Sequence, residues 1–312
     1  MLEKFWDGLA TKLADRWAAI SGPALAFWLV VGGAWATGHG GLARLSARID
    51  SLDNHSVLLQ AVILVVGLLA AAGSMLLVER VTKLVVPLLM GSWPRWTGWF
   101  RRLLARRFRN RAAALDSEWQ LAVDRVYGSS SPADQDERRM VELDRLRRRY
   151  PAKLQQVMPT RVGNMLRASE SRPYEKYGLE ASVVWPRLWT VLPESTKKEL
   201  STSWGQIGTS VSVMVWSVLL VPFSLWTPLV LIAAGVGLLF GYLSLPDRVE
   251  SFGDLLESAF DVHRGDLYVK LRWPLPKQIE DETKLGLALT EFLFRGTTAE
   301  PITFVDHGGG DS

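Results

Sequence analysis

Long apolar blocks alternate along the chain with long amphipathic ones, and the two kinds predict different surroundings. Residues 57–78 (VLLQAVILVVGLLAAAGSMLLV) are an apolar run of about twenty residues. At 1.5 Å per residue that length crosses a hydrocarbon core of about 30 Å. Residues 209–226 and 228–245 are two more such blocks with almost nothing between them, which predicts a tight hairpin. Residues 23–38 are a shorter fourth block, workable as a crossing if 18–20 extend it. Ala34-Trp35-Ala36 has the look of a signal-peptide cleavage site, but the leader before it is long and carries acids, so an uncleaved span is expected. Gly237-x-x-x-Gly241 and Gly67-x-x-x-Ala71 predict close approach between spans.

The remaining blocks step by three and four. Leu2, Phe5, Trp6, Leu9, Leu13 and Trp17 give residues 1–20 the pattern of a helix lying at the membrane interface. From Arg95 onward, Trp96, Phe100, Leu104, Phe108, Ala112, Leu115, Trp119, Ala122 and Val126 describe a helix of roughly thirty residues. Its first half can touch the membrane surface. Met140, Leu143 and Leu146 continue the pattern over 136–150, so the two helices are expected to form an antiparallel hairpin. Pro151, Pro159, Pro173, Pro186 and Pro193 then divide the chain into a helix near 161–169, a turn at 171–178 and a second piece around 183–192. After Pro246, Asp247 is placed to cap a helix carrying Val249, Phe252, Leu256, Phe260, Leu267 and Leu271. Trp273-Pro274-Leu275-Pro276 interrupts it, and 279–294 forms the last helix.

These elements predict an all-α protein: a four-helix transmembrane bundle of two hairpins, with a helical cytosolic insert and a helical C-terminal extension. The expected divisions are an interfacial helix at 1–20, the first hairpin at 21–91 and the cytosolic domain at 92–206. The second hairpin at 207–246, C-terminal helices at 247–296 and a disordered tail at 297–312 follow.

Charge supplies the orientation. Arg80, Lys83, Arg95, Arg101, Arg102, Arg106, Arg107, Arg109 and Arg111 follow the 57–78 block. The positive-inside bias places such a cluster in the cytoplasm. Both termini then face the same side, and the expected location is the inner (plasma) membrane, spanned several times. Arg101, Arg102, Arg106 and Arg107 are expected to meet anionic lipid. Nucleic acid is not expected, since no base-stacking platform or nucleic-acid motif accompanies them. Fourteen Trp, several flanking the apolar blocks, suit anchoring at headgroup level. The chain has no cysteine, which excludes disulfides, thiolate catalysis and Cys-ligated zinc.

Candidate chemistry is sparse. No Gly-x-Ser-x-Gly, Walker loop or His-Glu-x-x-His occurs. His39, Asp50, Asp53 and His55 share a loop but match no ligand spacing. His263 and Asp266, three apart, could share a face suited to proton exchange, but a mixed-charge surface helix explains the same residues and is the expected reading. Ionisable residues are almost missing from the middles of the spans, against coupled transport. Thr209, Ser210, Ser212, Ser217 and Ser224 could line a pore. No catalytic, cofactor or metal site is expected. The polar and aromatic density of 151–193 supplies candidate partner-binding residues: Arg161, Asn164, Arg167, Tyr174, Tyr177, Arg187 and Trp189.

The stretches 161–189 (RVGNMLRASESRPYEKYGLEASVVWPRLW) and 252–276 (FGDLLESAFDVHRGDLYVKLRWPLP) resemble a group of uncharacterised multipass membrane proteins from bacteria, actinobacteria in particular. That resemblance implies a bacterial membrane protein and no activity. Two hairpins enclosing a cytosolic insert are also similar in topology to bestrophin-type anion channels, without their sequence motifs. The expectation is a non-enzymatic membrane protein that presents a cytosolic helical domain for self-assembly or a protein partner. The alternative is an oligomeric ion channel.

Overall fold

The computed structural model of the protein describes residues 23–38, 57–128 and 133–306. The predicted interfacial helix at 1–20, the loop holding His39, Asp50, Asp53 and His55, the tip of the 128–134 loop and residues 307–312 lie outside them. Among the described residues the regular structure is helical throughout, with no strand. Nine α-helices are described: α1 (Pro23–Gly38), α2 (Val57–Leu89), α3 (Gly98–Tyr127), α4 (Asp134–Arg147), α5 (Arg161–Tyr177), α6 (Ala181–Val191), α7 (Glu194–Leu220), α8 (Leu229–Lys270) and α9 (Ile279–Arg295). Short 3-10 turns occur at Arg95–Thr97, Leu154–Gln156 and Val221–Leu225.

Three helices are long and apolar enough to cross a membrane: Gln60–Leu89, Glu194–Leu225 and Leu229–Lys270. The fourth expected crossing, Pro23–Gly38, is a shorter apolar helix. Its described part is about 24 Å long at 1.5 Å per residue, and residues 18–20, expected to extend it, lie outside the described residues. Membrane association therefore rests on three helices. On α2, Leu68, Leu69, Leu76 and Leu77 are all more than half exposed, as on a helix that faces lipid rather than water.

The chain divides into two units, one of Met1–Val86 with Gly208–Leu245 and one of Pro87–Ile207 with Pro246–Ser312. In the first, Phe27 of α1 packs on Trp216 of α7 at 4.8 Å and on Phe223 at 5.8 Å. Trp28 donates to Ser74 of α2 at 3.2 Å. The α7–α8 seam closes on small residues: Gly237 lies against the Ser217 hydroxyl, Gly241 against Met214, and the Ser210 and Ser244 hydroxyls are 2.9 Å apart. The expected close approach at Gly237 and Gly241 is present. Among the described residues nothing lies within 4 Å of a Cβ placed at Gly67, so the matching close approach on α2 is not seen there.

In the second unit the predicted α3–α4 hairpin is tied by Arg147–Asp116 at 2.7 Å and Arg139–Glu118 at 3.2 Å. The Arg147 guanidinium also lies 4.1 Å over the Trp119 ring. Thr160 caps α5 by accepting from the Gly163 amide at 3.0 Å. Gly178 ends that helix at φ 70°, a left-handed position that glycine occupies without Cβ strain. The core joins α5–α6 and the first turns of α7 to α8 and α9 through Leu179, Val184, Leu188, Leu200, Phe260, Tyr268, Trp273 and Leu289.

Several sequence expectations change here. Pro173, Pro186 and Pro246 do not break their helices: α5, α6 and α8 each run through one. A proline removes one intrahelical hydrogen bond at a cost of about 3 kcal/mol, so burial of Pro173 and of Val184 and Leu188 in α6 must outweigh it. Asp247 is therefore inside α8 rather than at a cap. Residues 92–206 and 247–296, expected as separate divisions, share one unit and one core. Residues 297–306, expected as part of a disordered tail, strap that core: Val305 donates to the Arg272 carbonyl at 2.8 Å, and Phe304 stacks edge-on against Trp273 and Phe292.

Candidate functional site

At 42 residues α8 is about 63 Å long, twice a hydrocarbon core, and its charged half from Asp247 belongs to the second unit. Asp254, Glu257, Asp261 and Arg264 recur at three- and four-residue spacing, so they share one face of that half. Arg172 and Lys176, four apart on α5, present the complementary stripe.

Glu257 is the centre, only 7% exposed. It accepts from Arg172 at 2.6 Å, Lys176 at 2.6 Å and Arg148 at 3.2 Å. Arg172 also donates to the Arg148 carbonyl at 2.8 Å, binding α5 to the end of α4. Burial pushes the Glu257 carboxyl up, but the hydrogen bonds and fields of Lys176 and Arg172 outweigh it and hold its pKa below the ordinary value. Burial likewise works against the Lys176 charge, and Glu257 and then Asp261 overcome it, so its pKa is raised. The Tyr177 phenol donates to Asp261 at 2.5 Å with the Arg264 guanidinium 4.2 Å over its ring. Burial, with that hydrogen bond, raises its pKa. Arg264 pairs with Glu282 of α9 at 2.7 Å. One charged seam therefore joins α4, α5, α8 and α9.

Beside the seam opens a cleft of about 740 Å³ between α3, α4, α5 and α8. Eight of its eighteen lining residues are charged: Asp116, Asp144, Arg147, Arg148, Arg172, Glu175, Lys176 and Glu257. Six of them pair with one another. Asp144 and Glu175 have no cation within 4 Å among the described residues. Comparison with known proteins returns no matching family model, curated protein or solved structure. The arrangement has to speak for itself.

The sequence-predicted residues scatter around this site. Tyr177 is in the seam. Tyr174 is half-buried, with the Lys153 ammonium 4.6 Å over its ring. Asn164 is buried and fully engaged, bonding both the amide and the carbonyl of Met158 and the Thr160 carbonyl. Arg167 pairs with Glu170 at 3.2 Å. Trp189 packs on Trp185 at 5.6 Å against the core. Arg161 and Arg187 are exposed, and Arg187 donates to the Val183 carbonyl of its own helix.

Sequence reasoning passed over Arg148, Asp144 and Glu257 as site residues. The available signal was the charge spacing on α8 and its mirror on α5. His263 and Asp266, 3.0 Å apart, lie outside the cleft. No group of three or more His, Asp or Glu placed to hold a metal occurs among the described residues.

Proposed function

We propose that this chain is a multipass inner-membrane protein whose helical second unit faces the cytoplasm and serves self-assembly or capture of a protein partner. In this reading α1 with α2, and α7 with α8, are two transmembrane hairpins, and both termini are cytoplasmic. Three membrane-capable helices and the basic cluster after α2 support it.

The observation that carries the binding role is the open, charge-lined cleft with two unpaired acids. Small-molecule pockets are mostly apolar with a few polar groups. A lining of alternating acids and cations, some already paired, suits instead a polypeptide surface of mixed charge. The test is charge reversal at the unpaired acids, Asp144→Lys with Glu175→Lys, in full-length protein. Chemical crosslinking in membranes and native mass spectrometry should lose the oligomer or the captured partner, while helicity and thermal unfolding stay at wild-type values. Unchanged assembly in a folded variant overturns the reading. The rival channel draws little from the third-span hydroxyls, since Ser210 bonds Ser244 and Ser217 bonds the Val213 carbonyl.

A further inference from the structure

Between Glu79 and Asp116 the sequence carries nine cations and no acid. The structure separates these cations by face. On a helix advancing about 100° per residue, Leu103, Arg106 and Asn110 lie within about 40° of Trp99, and Arg102 and Arg107 flank them. The buried residues of α3, Ala112, Ala122 and Val126, centre about 180° away, and Arg101 falls on their side.

Trp99 and Leu103 are exposed by 68% and 56%. Arg102, Arg106 and Arg107 are exposed, and none has a carboxylate within 4 Å among the described residues. Farther along the same helix the acids return, and Asp116 and Glu118 are paired with arginines of α4. A solvated face usually mixes charge of both signs. This one joins large apolar side chains to unpaired cations of a single sign, the composition of an interfacial helix.

Its aim is fixed locally. Gly91, at φ 86°, turns the chain against Pro159, Trp93 donates to the Leu88 carbonyl at 2.6 Å, and Phe100 stacks on Trp93 at 5.5 Å. Only residues 90–97 join α2 to α3, a tether of at most about 30 Å.

We propose that the outward face at the start of α3 contacts the membrane surface, with Trp99 and Leu103 entering the interfacial layer and Arg102, Arg106 and Arg107 binding the phosphates of anionic phospholipid. The proposal rests on the membrane reading above and narrows the expected set of four arginines, because Arg101 faces the other way.

The chain lacks cysteine, so Leu103→Cys in the full-length protein accepts a single spin label. Vesicles of phosphatidylcholine with phosphatidylglycerol are compared with phosphatidylcholine alone, and collision with oxygen and with a water-soluble nickel chelate reports depth. The label should read as lipid-buried in the anionic vesicles. It should shift to water-exposed values when Arg102→Gln, Arg106→Gln and Arg107→Gln are combined, while Arg101→Gln leaves it in place. A second label at Gln120→Cys should stay water-exposed throughout, and wild-type helicity and thermal unfolding show that the variants fold.

A water-exposed label at 103 in anionic vesicles, in protein that resists carbonate extraction, overturns this inference and leaves the membrane reading standing. Release by carbonate overturns both. Spin–spin broadening at position 103 that disappears on dilution with unlabelled protein would place a second copy on this face and also overturn it.

Discussion

Replacing Glu257 by Gln tests the charged seam most directly. The carboxylate is buried, and three cations converge on it: Arg172 and Lys176 at 2.6 Å and Arg148 at 3.2 Å. The amide keeps the shape but removes the charge. Breaking a buried ion pair from one side costs about 3–5 kcal/mol, because the partner is left uncompensated. Here the partners differ. Lys176 and Arg148 are about half exposed and can turn to water, whereas the Arg172 side chain is 16% exposed and keeps, in place of a carboxylate at 2.6 Å, a neutral amide oxygen with Asp254 at 3.8 Å and the Arg148 carbonyl. The loss therefore falls to about 2–3 kcal/mol, most of it from Arg172.

For a unit of ~190 residues that is a drop of about 5–10 °C in Tm, read by thermal unfolding of the detergent-solubilised protein at neutral pH. The pH dependence carries the sharper test. The folded pKa of Glu257 lies below its ordinary 4.5, so its contribution is complete above that value and fades as pH falls through the lowered one. Wild type and Glu257→Gln should converge in acid. Lys176, raised above its ordinary 10.5, contributes below that value and stops contributing as pH rises through the raised one, so the gap narrows again in alkali. Equal Tm at neutral pH, or a gap that persists unchanged in acid, would refute this account of the seam.

Two further outcomes follow from the packing and the phenols. Gly286 of α9 lies directly against the Tyr177 carbonyl; Gly286→Ala should separate α9 from the end of α5, destabilise by about 2–3 kcal/mol and speed amide exchange at 279–295, and wild-type exchange there would contradict the close approach. Burial first, then the Asp261 hydrogen bond for Tyr177 and the charge of Glu282 for Tyr268, raise both phenols above 10.0. Ultraviolet titration should show late phenolate steps, with one lost in Tyr177→Phe. Neither phenol lowers stability below pH 10.0, and ionising either in the fold does so as pH rises toward their raised values.

Periodicity made the helices legible, and length with apolarity identified the three that can span a membrane. Proline misled the boundaries. Its local cost is real, but burial around Pro173 and packing along α6 outweigh it, and a local pattern carries no information about that burial. The C-terminal helices looked like an extension because their partners are far away in sequence: Tyr177 meets Asp261, and Thr290 bridges the Gly178 carbonyl and the Glu180 amide. The polar density of 161–189 gave no sign of what each side chain touches: Asn164 bonds Met158 and Thr160, and Trp189 packs against the core. Glu257 gave no hint alone, since its meaning depends on three cations from two other segments.

The second unit is assembled from two stretches of polypeptide with residues 208–245, the apolar parts of α7 and α8, between them, and this sets a schedule for biosynthesis. When α5 leaves the ribosome its apolar side has no cover, since Thr290 and Leu289 are still about 110 residues from being made. At roughly 5–20 residues per second the interval is on the order of ten seconds. On the proposed membrane reading, α7 and α8 also enter the bilayer in that time. A nascent chain of this design therefore depends on shielding from the exit of α5 until the emergence of α9. Translation slowed over 230–290 should be where yield is lost.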